Sequence, residues 1–335
     1  MRTRISRILT AGIVALASMF PVSCSSRGDG ASSGGPEASG ASAGRWPREI
    51  KHEKGTTELK SRPKRIVSTS PSVTGSLLAI DAPLVATAAT TPSPITDSKG
   101  FFSQWAKVAD RRGVKSLYGN LQFNMEAIVA AEPDLVVVSS SGADSVADHY
   151  AEISARFPTV VVDYSKQDWR KLSAQLGEAT GLESKAKKVT ADFDQYVRDA
   201  KAKIKPPDGD VSIVSFNGAG GQNQAVGKRE GPHAKLLEAM GFTVVDAPPG
   251  LETRRQKRSD FAFVTYENLA KAIKGKSVFL ISASDKTVAG FLADPLLANL
   301  PAVQSKRVHS LGPTSFRIDY YSGRQIVDAV VKSFS

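Results

Sequence analysis

One long amphipathic segment near the middle of the sequence, Leu182 to Lys205, limits the folds that the chain can adopt. Its apolar side chains recur every three or four residues, the spacing that places them on one face of an α-helix. Gly181 precedes the segment, and Pro206 and Pro207 follow it, where proline ends a helix. The pattern predicts a single helix that is roughly 30 Å or more long, because each residue adds about 1.5 Å. The apolar positions are Ala186, Val189, Phe193, Tyr196, Val197, Ala200 and Ile204.

The half-chains on the two sides of this helix repeat one order of elements. In the first, Glu126 begins a short helical pattern that leads to an apolar strand and then to a Ser/Gly turn ending at Asp144. In the second, Glu267 begins the same order, which ends at Asp285 after the same number of residues. Each half also opens with an apolar strand, a loop and a helical pattern. The repeat predicts two similar α/β units, one before and one after the helix.

Together these patterns define a fold class. We expect an α/β protein with two Rossmann-like lobes, at residues 45–180 and 207–335, joined by a single long bridging helix at residues 181–206. The polar alternation and the glycine of Trp46–Lys64 predict a short edge hairpin before the first buried strand.

The N-terminal residues predict export. Three arginines precede the apolar segment Ile8–Phe20, which is too short to span a bilayer, so residues 1–23 are typical of a signal peptide. Cys24, the only cysteine, follows directly and predicts the acylated cysteine of a bacterial lipoprotein, although Pro21 stands where that motif usually has Leu. A plain secretory peptide with an incidental cysteine is the alternative. Residues 24–44 are rich in Ser, Gly and Ala, which predicts a flexible tether.

Charge and composition narrow the function. The net charge of +11 comes without a nucleic-acid-binding motif, so we expect no nucleic-acid partner and instead an anionic ligand, an anionic surface polymer or a gain in solubility. The four histidines are scattered, which disfavours a metal site. Gly-x-Ser-x-Gly occurs only in the Ser/Gly/Ala-rich tether and never after Gly44 as an elbow between a strand and a helix, so an exported hydrolase is the weaker alternative and we expect no enzyme. The histidines are His52, His149, His233 and His309.

Several contiguous motifs have a familiar form. They are GFFSQWAKVADRRGVKSLY (100–118), LLEAMGF (236–242), ENLA (267–270), ADPLLANLPAVQ (293–304) and LGPTSFRIDYYSGRQIVD (311–328). Through them the chain, from Arg45 to its end, resembles the periplasmic ferric-enterobactin-binding proteins of iron-siderophore ABC importers.

This resemblance implies a function as well as a fold. It implies the helix-bridged (class III) type of substrate-binding protein, with a ferric siderophore of the catecholate type held between the lobes and delivered to the permease subunits of an ABC importer. The siderophore supplies every ligand of the iron, so neither a cofactor nor a metal ligand is expected from the protein. We expect a monomer held at the outer face of the cell membrane by its lipid anchor, with lobes that close by only a few degrees.

The resemblance also assigns binding residues. Arg317 matches the cleft-facing arginine of the family, and Tyr320 is its expected neighbour. Arg258 matches a second cation, in a very basic loop. Arginine suits this role because its planar group donates two hydrogen bonds at once and packs on rings. Arg112 and Trp105 lie in a matching segment, although the helical spacing of Trp105 also fits a core residue. An ion pair between Arg317 and Asp319 is the structural alternative for the first site.

A glycine-rich loop, Asn217–Gly221, opens the second lobe and is followed by Gln224 and Lys228, which we include among the candidates for ligand binding. The aromatic residue that the family carries in this loop aligns with Gln224 or Ala225, and an arginine of the family is replaced by Ser93-Pro94. These departures leave open a mixed-ligand or other anionic siderophore. Haem or a corrinoid is a further alternative, with Tyr320 or Tyr266 as the axial ligand of haem.

Two glutamates are candidates for contact with the permease. In the family an acidic residue at the start of one helix in each lobe docks onto permease arginines, and the matching positions are Glu126 and Glu267. The alternative is a local role, since a carboxylate at a helix start stabilises that helix by about 0.3–1 kcal/mol.

Overall fold

A computed structural model describes residues 45–221, 224–253 and 258–335. The predicted signal peptide, Cys24 and the tether lie outside these ranges. Within them, none of the helices combines the length and the apolar character that crossing a bilayer requires.

The first lobe is built on a five-stranded sheet in which every neighbouring pair of strands is parallel, with the order β5-β4-β3-β6-β7. All five residues of β6, LVVVS, are buried, as expected for a strand covered by helices on both faces. The predicted hairpin, β1–β2, forms a separate two-stranded sheet. The strands are β1 (Arg48–His52), β2 (Gly55–Leu59), β3 (Ile66–Ser68), β4 (Leu84–Thr87), β5 (Lys115–Ser116), β6 (Leu135–Ser139) and β7 (Thr159–Val162). The helices are α1 (Pro71–Ala79), α2 (Ser103–Arg111), α3 (Met125–Ala130), α4 (Tyr150–Ser154) and α5 (Trp169–Thr180).

The second lobe has a five-stranded sheet of order β10-β9-β8-β11-β12, in which β9 is antiparallel to both of its neighbours. The sequence pattern predicted only a loop between β8 and the next helix, so β9 was missed. The strands are β8 (Val211–Ser215), β9 (Gln224–Gly227), β10 (Phe261–Val264), β11 (Ser277–Leu280) and β12 (Val308–Ser310). The helices are α7 (Pro232–Ala239), α8 (Tyr266–Ala272), α9 (Asp285–Leu292), α10 (Pro301–Gln304) and α11 (Tyr320–Phe334).

The long helix α6 (Glu183–Lys201) connects the two lobes. It is shorter at both ends than the predicted range. At its start the reason is that α5 runs up to Gly181, which ends that helix in the left-handed conformation with φ of 66°. Near its start, Ala186 lies in the core of the first lobe. Further along, Phe193 and Val197 lie in the core of the second. One continuous helix therefore contributes to both hydrophobic cores.

The C-terminal helix α11 makes a second connection between the lobes. It packs along α6 and also contacts α1 and α2 of the first lobe. At its start, Asp319 caps α11 by accepting the backbone N–H groups of Tyr321 and Ser322, both at 2.8 Å. The same carboxylate accepts a long hydrogen bond from Gln104 of α2, at 3.5 Å. Tyr321 packs against the core of the first lobe.

Candidate ligand-binding site

A cavity of about 460 Å³ lies between the lobes. The first lobe contributes the start of α1, the start of α2 and the loop that follows β7, and the second contributes the start of α7 and the loop before α11. The loops after β3 and β7 extend from the carboxyl ends of parallel strands, where α/β sheets bind ligands. The cavity is therefore the candidate site.

Arg317 projects into this cavity from the loop before α11. Its guanidinium carbon lies over the ring of Tyr164, 4.2 Å from the centroid, and 5.6 Å from the centroid of Phe316. No described residue accepts a hydrogen bond or forms an ion pair with this guanidinium. The alternative pairing with Asp319 is not formed, because that carboxylate caps α11. The N–H donors of Arg317 therefore remain available to a ligand.

Arg258 also lines the cavity but is already paired. Its guanidinium donates to both carboxylate oxygens of Asp260, at 2.7 and 2.5 Å, and this hydrogen bonding raises the pKa of Arg258. Lys228 lies behind it, where its ammonium group donates to the Arg258 carbonyl at 2.6 Å and pairs with Glu252 at 3.3 Å. Lys228 therefore supports the main chain of Arg258 and does not line the cavity. Lys257, the neighbour of Arg258, lies outside the described residues.

The structure packs two predicted aromatic residues against or within the hydrophobic cores. Tyr320 is partly buried and packs against the core of the second lobe, with its ring 6.1 Å from Trp169 and 6.3 Å from Phe193. Trp105 is fully buried in the first lobe, 5.3 Å from the ring of Phe101. Neither lines the cavity. For Trp105 this is the core position that its helical spacing also fitted.

Two polar candidates, Arg112 and Gln224, stabilise neighbouring segments of the chain instead of facing a ligand. Arg112 pairs with Asp81 at 3.1 Å and donates to the Leu78 carbonyl at 2.8 Å, so it fixes the end of α1. Gln224 is buried and folds the glycine-rich loop, accepting from the backbone N–H of Asn217 at 2.8 Å and donating to the Gly218 carbonyl at 3.0 Å. Neither side chain lines the cavity.

Sequence reasoning missed the residue on the opposite side of the cavity, Tyr164. Its hydroxyl donates to Asp144 at 2.7 Å, and burial raises the pKa of Tyr164 to about 12. Asp144 also accepts from the Ser70 hydroxyl at 2.5 Å and from the Ser72 backbone N–H at 3.0 Å. Of this group, only Asp144 was marked by a sequence pattern, because it ends the turn that closes the internal repeat. An exposed Phe316 beside Arg317 was likewise not anticipated.

The charges around the cavity favour an anionic ligand. Four acidic residues line it: Asp260 is paired with Arg258, Asp319 caps α11, Asp168 caps α5 by accepting the Lys171 backbone N–H at 3.0 Å, and Glu230 is exposed. Arg317 is not neutralised in this way, and exposed lysines also line the cavity. Within the described ranges, no group of three or more His, Cys, Asp or Glu residues could hold a metal ion.

The tyrosines considered as haem ligands do not line the cavity. Tyr320 packs against the core of the second lobe, and the Tyr266 hydroxyl donates to both oxygens of Asp294, at 2.7 and 2.8 Å. His233 does line the cavity, but its Nε2 donates to the Ser315 carbonyl at 2.6 Å and its Nδ1 is buried, so neither ring nitrogen is available to a haem iron.

Glu126 and Glu267 occupy matching positions. Each is the exposed second residue of its helix, Glu126 in α3 and Glu267 in α8. Asn124 caps α3 by accepting the Ala127 backbone N–H at 3.0 Å. In α8, the Glu267 carboxylate accepts hydrogen bonds from the Glu267 backbone N–H and the Thr265 hydroxyl, and these bonds lower the pKa of Glu267. Both carboxylates are therefore accessible to a partner.

Two α/β lobes that share a bridging helix and enclose a cavity define the helix-bridged class of substrate-binding proteins. The chain belongs to the periplasmic binding protein family, whose family model matches residues 66–314. This membership confirms the predicted fold class, and it confirms that the chain is a binding protein and not an enzyme.

Individual relatives agree with this assignment. The chain is 41% identical over 292 residues to the ferric enterobactin-binding periplasmic protein FepB of Escherichia coli O6:H1, covering 86% of this chain and 91% of FepB. It is 25% identical over 274 residues to the probable siderophore-binding lipoprotein YfiY of Bacillus subtilis, covering 79% and 80% of the two chains. The crystal structure of holo-ViuP superposes with a TM-score of 0.80 at 40% identity, covering 87% of this chain and 96% of that one. The resemblance found in the sequence motifs is thereby confirmed.

Proposed function

We propose that this protein captures a ferric siderophore of the catecholate type in the cavity between its lobes and delivers it to the permease of an ABC importer for iron uptake. One observation about Arg317 carries this proposal. Its guanidinium lies in the cavity against the ring of Tyr164, and no described residue accepts a hydrogen bond from it. The 41% identity to a ferric enterobactin-binding protein supports the same ligand class.

The chemistry of such a ligand fits the site. A ferric tris-catecholate is a multiply charged anion whose iron is enclosed by the siderophore, so a protein recognises it through cations and flat apolar surfaces. Arg317 supplies an unpaired cation and Arg258 a second one that is paired with Asp260, while the exposed ring of Phe316 supplies an aromatic face. Contacts between a cation and an aromatic ring contribute roughly 0.5–2 kcal/mol each.

A mixed-ligand or other anionic siderophore is the second candidate, and one observation favours it. Gln224 and Ala225, the two candidates for the position where the family's loop carries an aromatic residue, are both buried, and Gln224 folds the loop. The ring contacts of the cavity therefore come from other elements, and their arrangement differs from that implied by the resemblance.

Delivery to the importer completes the proposal. We assign Glu126 and Glu267 to permease docking because both are exposed at matching helix starts in the two lobes. We assign Cys24 to lipid anchoring at the outer face of the cell membrane, which agrees with the lipoprotein name of YfiY. The working unit is a monomer, since the cavity and both docking residues are contributed by one chain.

The test is a titration of the purified protein with ferric enterobactin, a ferric hydroxamate and haemin, followed by quenching of tryptophan fluorescence. We expect saturable binding of the ferric catecholate, weakened about 10- to 100-fold by Arg317→Ala, because a hydrogen bond to a charged group is worth about 1.5–3 kcal/mol. Arg112→Ala is the matched control and should change affinity less than about 2-fold, since Arg112 does not line the cavity.

The other outcomes are informative. Binding of the hydroxamate or haemin alone would keep the importer function and replace the ligand class, and binding of none would contradict the proposed function. In a transport assay, Glu126→Ala and Glu267→Ala should reduce iron uptake while leaving ligand affinity unchanged. Glu58→Ala, an exposed glutamate on β2, is their control.

A further inference from the structure

The contact between Arg317 and Tyr164 joins the two lobes across the cavity. Tyr164 follows β7 of the first lobe, and Arg317 lies between β12 and α11 of the second. The guanidinium carbon is 4.2 Å from the ring centroid, well inside the distance of about 6 Å at which a cation and an aromatic ring attract each other. The cation that faces the ligand therefore rests on a side chain of the opposite lobe.

The Tyr164 ring is itself held in place through its hydroxyl. This group donates to Asp144 at 2.7 Å, and the Asp144 carboxylate is fixed in turn by the Ser70 hydroxyl at 2.5 Å and the Ser72 backbone N–H at 3.0 Å. Asp144 is only 6% exposed. Because the hydroxyl is committed to a buried acceptor, the ring cannot turn away without leaving that carboxylate with an unmet hydrogen bond.

The turn before Asp144 is shaped to admit this hydroxyl. Gly142 has a φ of 81°, which favours glycine, and a Cβ atom at this position would lie 1.7 Å from the Tyr164 oxygen. A side chain at position 142 would therefore push Tyr164 off Asp144. This packing is a second observation, independent of the hydrogen bonds, that the local structure fixes the ring.

We propose that Tyr164, held by Asp144 and accommodated by Gly142, is the positioning residue for Arg317. It keeps the guanidinium in the cavity before the ligand arrives, and a contact with a ring leaves the N–H donors of that group unpaired for the ligand's oxygen atoms. Pre-ordering a long side chain lowers the entropy lost on binding, so the contact strengthens the recognition of an anion. This inference rests on the proposed function.

A double-mutant cycle with ferric enterobactin as the probe tests the proposal. Tyr164→Leu should weaken binding about 5-fold when Arg317 is present, within the roughly 2- to 30-fold range of a cation–ring contact. In the Arg317→Ala background the same change should cost less than about 2-fold, because there is then no guanidinium to position. Phe102→Leu is the control, since Phe102 lines the cavity without contacting Arg317 and its effect should be equal in both backgrounds.

Two further variants separate positioning from folding. Tyr164→Phe keeps the ring and removes the bond to Asp144, and Gly142→Ala pushes the hydroxyl and the Asp144 carboxylate apart without altering either residue. Each should weaken binding about 2- to 3-fold with Arg317 present and leave it unchanged in Arg317→Ala. Thermal unfolding identifies any variant that has lost its fold, and the double-mutant cycle is evaluated with the variants that remain folded.

The outcomes distinguish this inference from the proposed function. An equal loss for Tyr164→Leu in both backgrounds would show that the ring contacts the ligand directly, and no loss in either would show that it has no role, so both results would overturn the positioning proposal alone. If the unaltered protein binds another ferric siderophore instead, the cycle is run with that ligand and the same criteria. If it binds none, the proposed function fails, and the inference fails with it.

Discussion

The sheets of the two lobes have the same strand arrangement on one side of their first strand and different arrangements on the other side. In the first lobe β3, β6 and β7 are parallel neighbours, and in the second β8, β11 and β12 are arranged in the same way. On the other side of the first strand, β4 is parallel to β3 whereas β9 is antiparallel to β8. The reason is the length of the connection, since α1 forms a crossover between β3 and β4, but β8 and β9 are joined by a short loop that permits only a hairpin.

Side chains at equivalent positions differ more than the backbone does. Asp144 and Asp285 stand at the same distance in sequence from Glu126 and Glu267. Asp144 is buried and fixes Tyr164, whereas Asp285 is exposed in the first turn of α9, which Ser284 caps. The repeat therefore specifies where an acidic residue lies, and the surrounding lobe determines what it does. The first lobe supplies the aromatic platform of the site, and the second supplies its arginines.

The largest expected effect tests whether the lobes are independent. Phe193→Ala should lower the free energy of unfolding by about 3–5 kcal/mol, because Phe193 is fully buried on α6. Since α6 enters both cores, we expect one unfolding transition that is shifted as a whole. Tryptophan fluorescence and circular dichroism during denaturation in urea measure this, with Lys187→Ala on the exposed face as the control. Two separated transitions would show that the lobes unfold independently.

The next effect contrasts the paired aspartates. Asp144→Asn should lower the free energy of unfolding by about 1–3 kcal/mol, because a buried acceptor of three hydrogen bonds is replaced by a group that also carries donors. Asp285→Asn should change it by no more than about 0.5 kcal/mol, as expected for an exposed position. Chemical denaturation of the two variants in parallel provides the measurement. Equal losses would contradict the different roles inferred for the two residues.

The third effect concerns the junction between the lobes and depends on pH. Burial raises the pKa of Asp319, so the folded protein holds a proton on this carboxyl at pH values where the unfolded chain has released it. The stability that this group contributes is complete below its unfolded pKa and is lost as the pH rises through its folded pKa. Asn also caps helices well, so Asp319→Asn should keep the cap and remove this loss.

Denaturation of Asp319→Asn and of the unaltered protein from pH 4 to pH 8 measures this difference. The stability of the variant relative to the unaltered protein should rise with pH. Asp168→Asn, the same change at the cap of α5, is the control. A relative stability of Asp319→Asn that stays constant or falls with pH would show that Asp319 is ionised in the folded protein.

The sequence predicted features that arise from regular spacing. The periodicity from Ala186 to Ala200 located α6, and the matched runs after Glu126 and Glu267 located equivalent strands. It could not decide which aromatic residues face the cavity, because Trp105 and Tyr320 stand near helix starts, where the packing of the lobes decides whether a ring faces the core or the ligand. Tyr164 was missed for a related reason. Its role depends on Asp144, which lies in a different loop and approaches it only after β6 and β7 pair.

The smallest expected effect is the movement of the lobes on binding. We expect ligand binding to close them by only a few degrees, because α6 is continuous between the two cores and α11 packs along it and reaches α1 and α2. Closure about a hinge requires a few residues that can change their backbone angles, and the packed faces of α6 and α11 restrict such changes.

Small-angle X-ray scattering with and without ferric siderophore should give nearly superimposable profiles, while spin labels at Glu126→Cys and Glu267→Cys should report a small change in distance. The cysteine-free background for these labels is Cys24→Ser. A large domain rotation would show that the two helices do not hold the lobes together, and the pre-formed contact between Arg317 and Tyr164 would then exist only in the closed state.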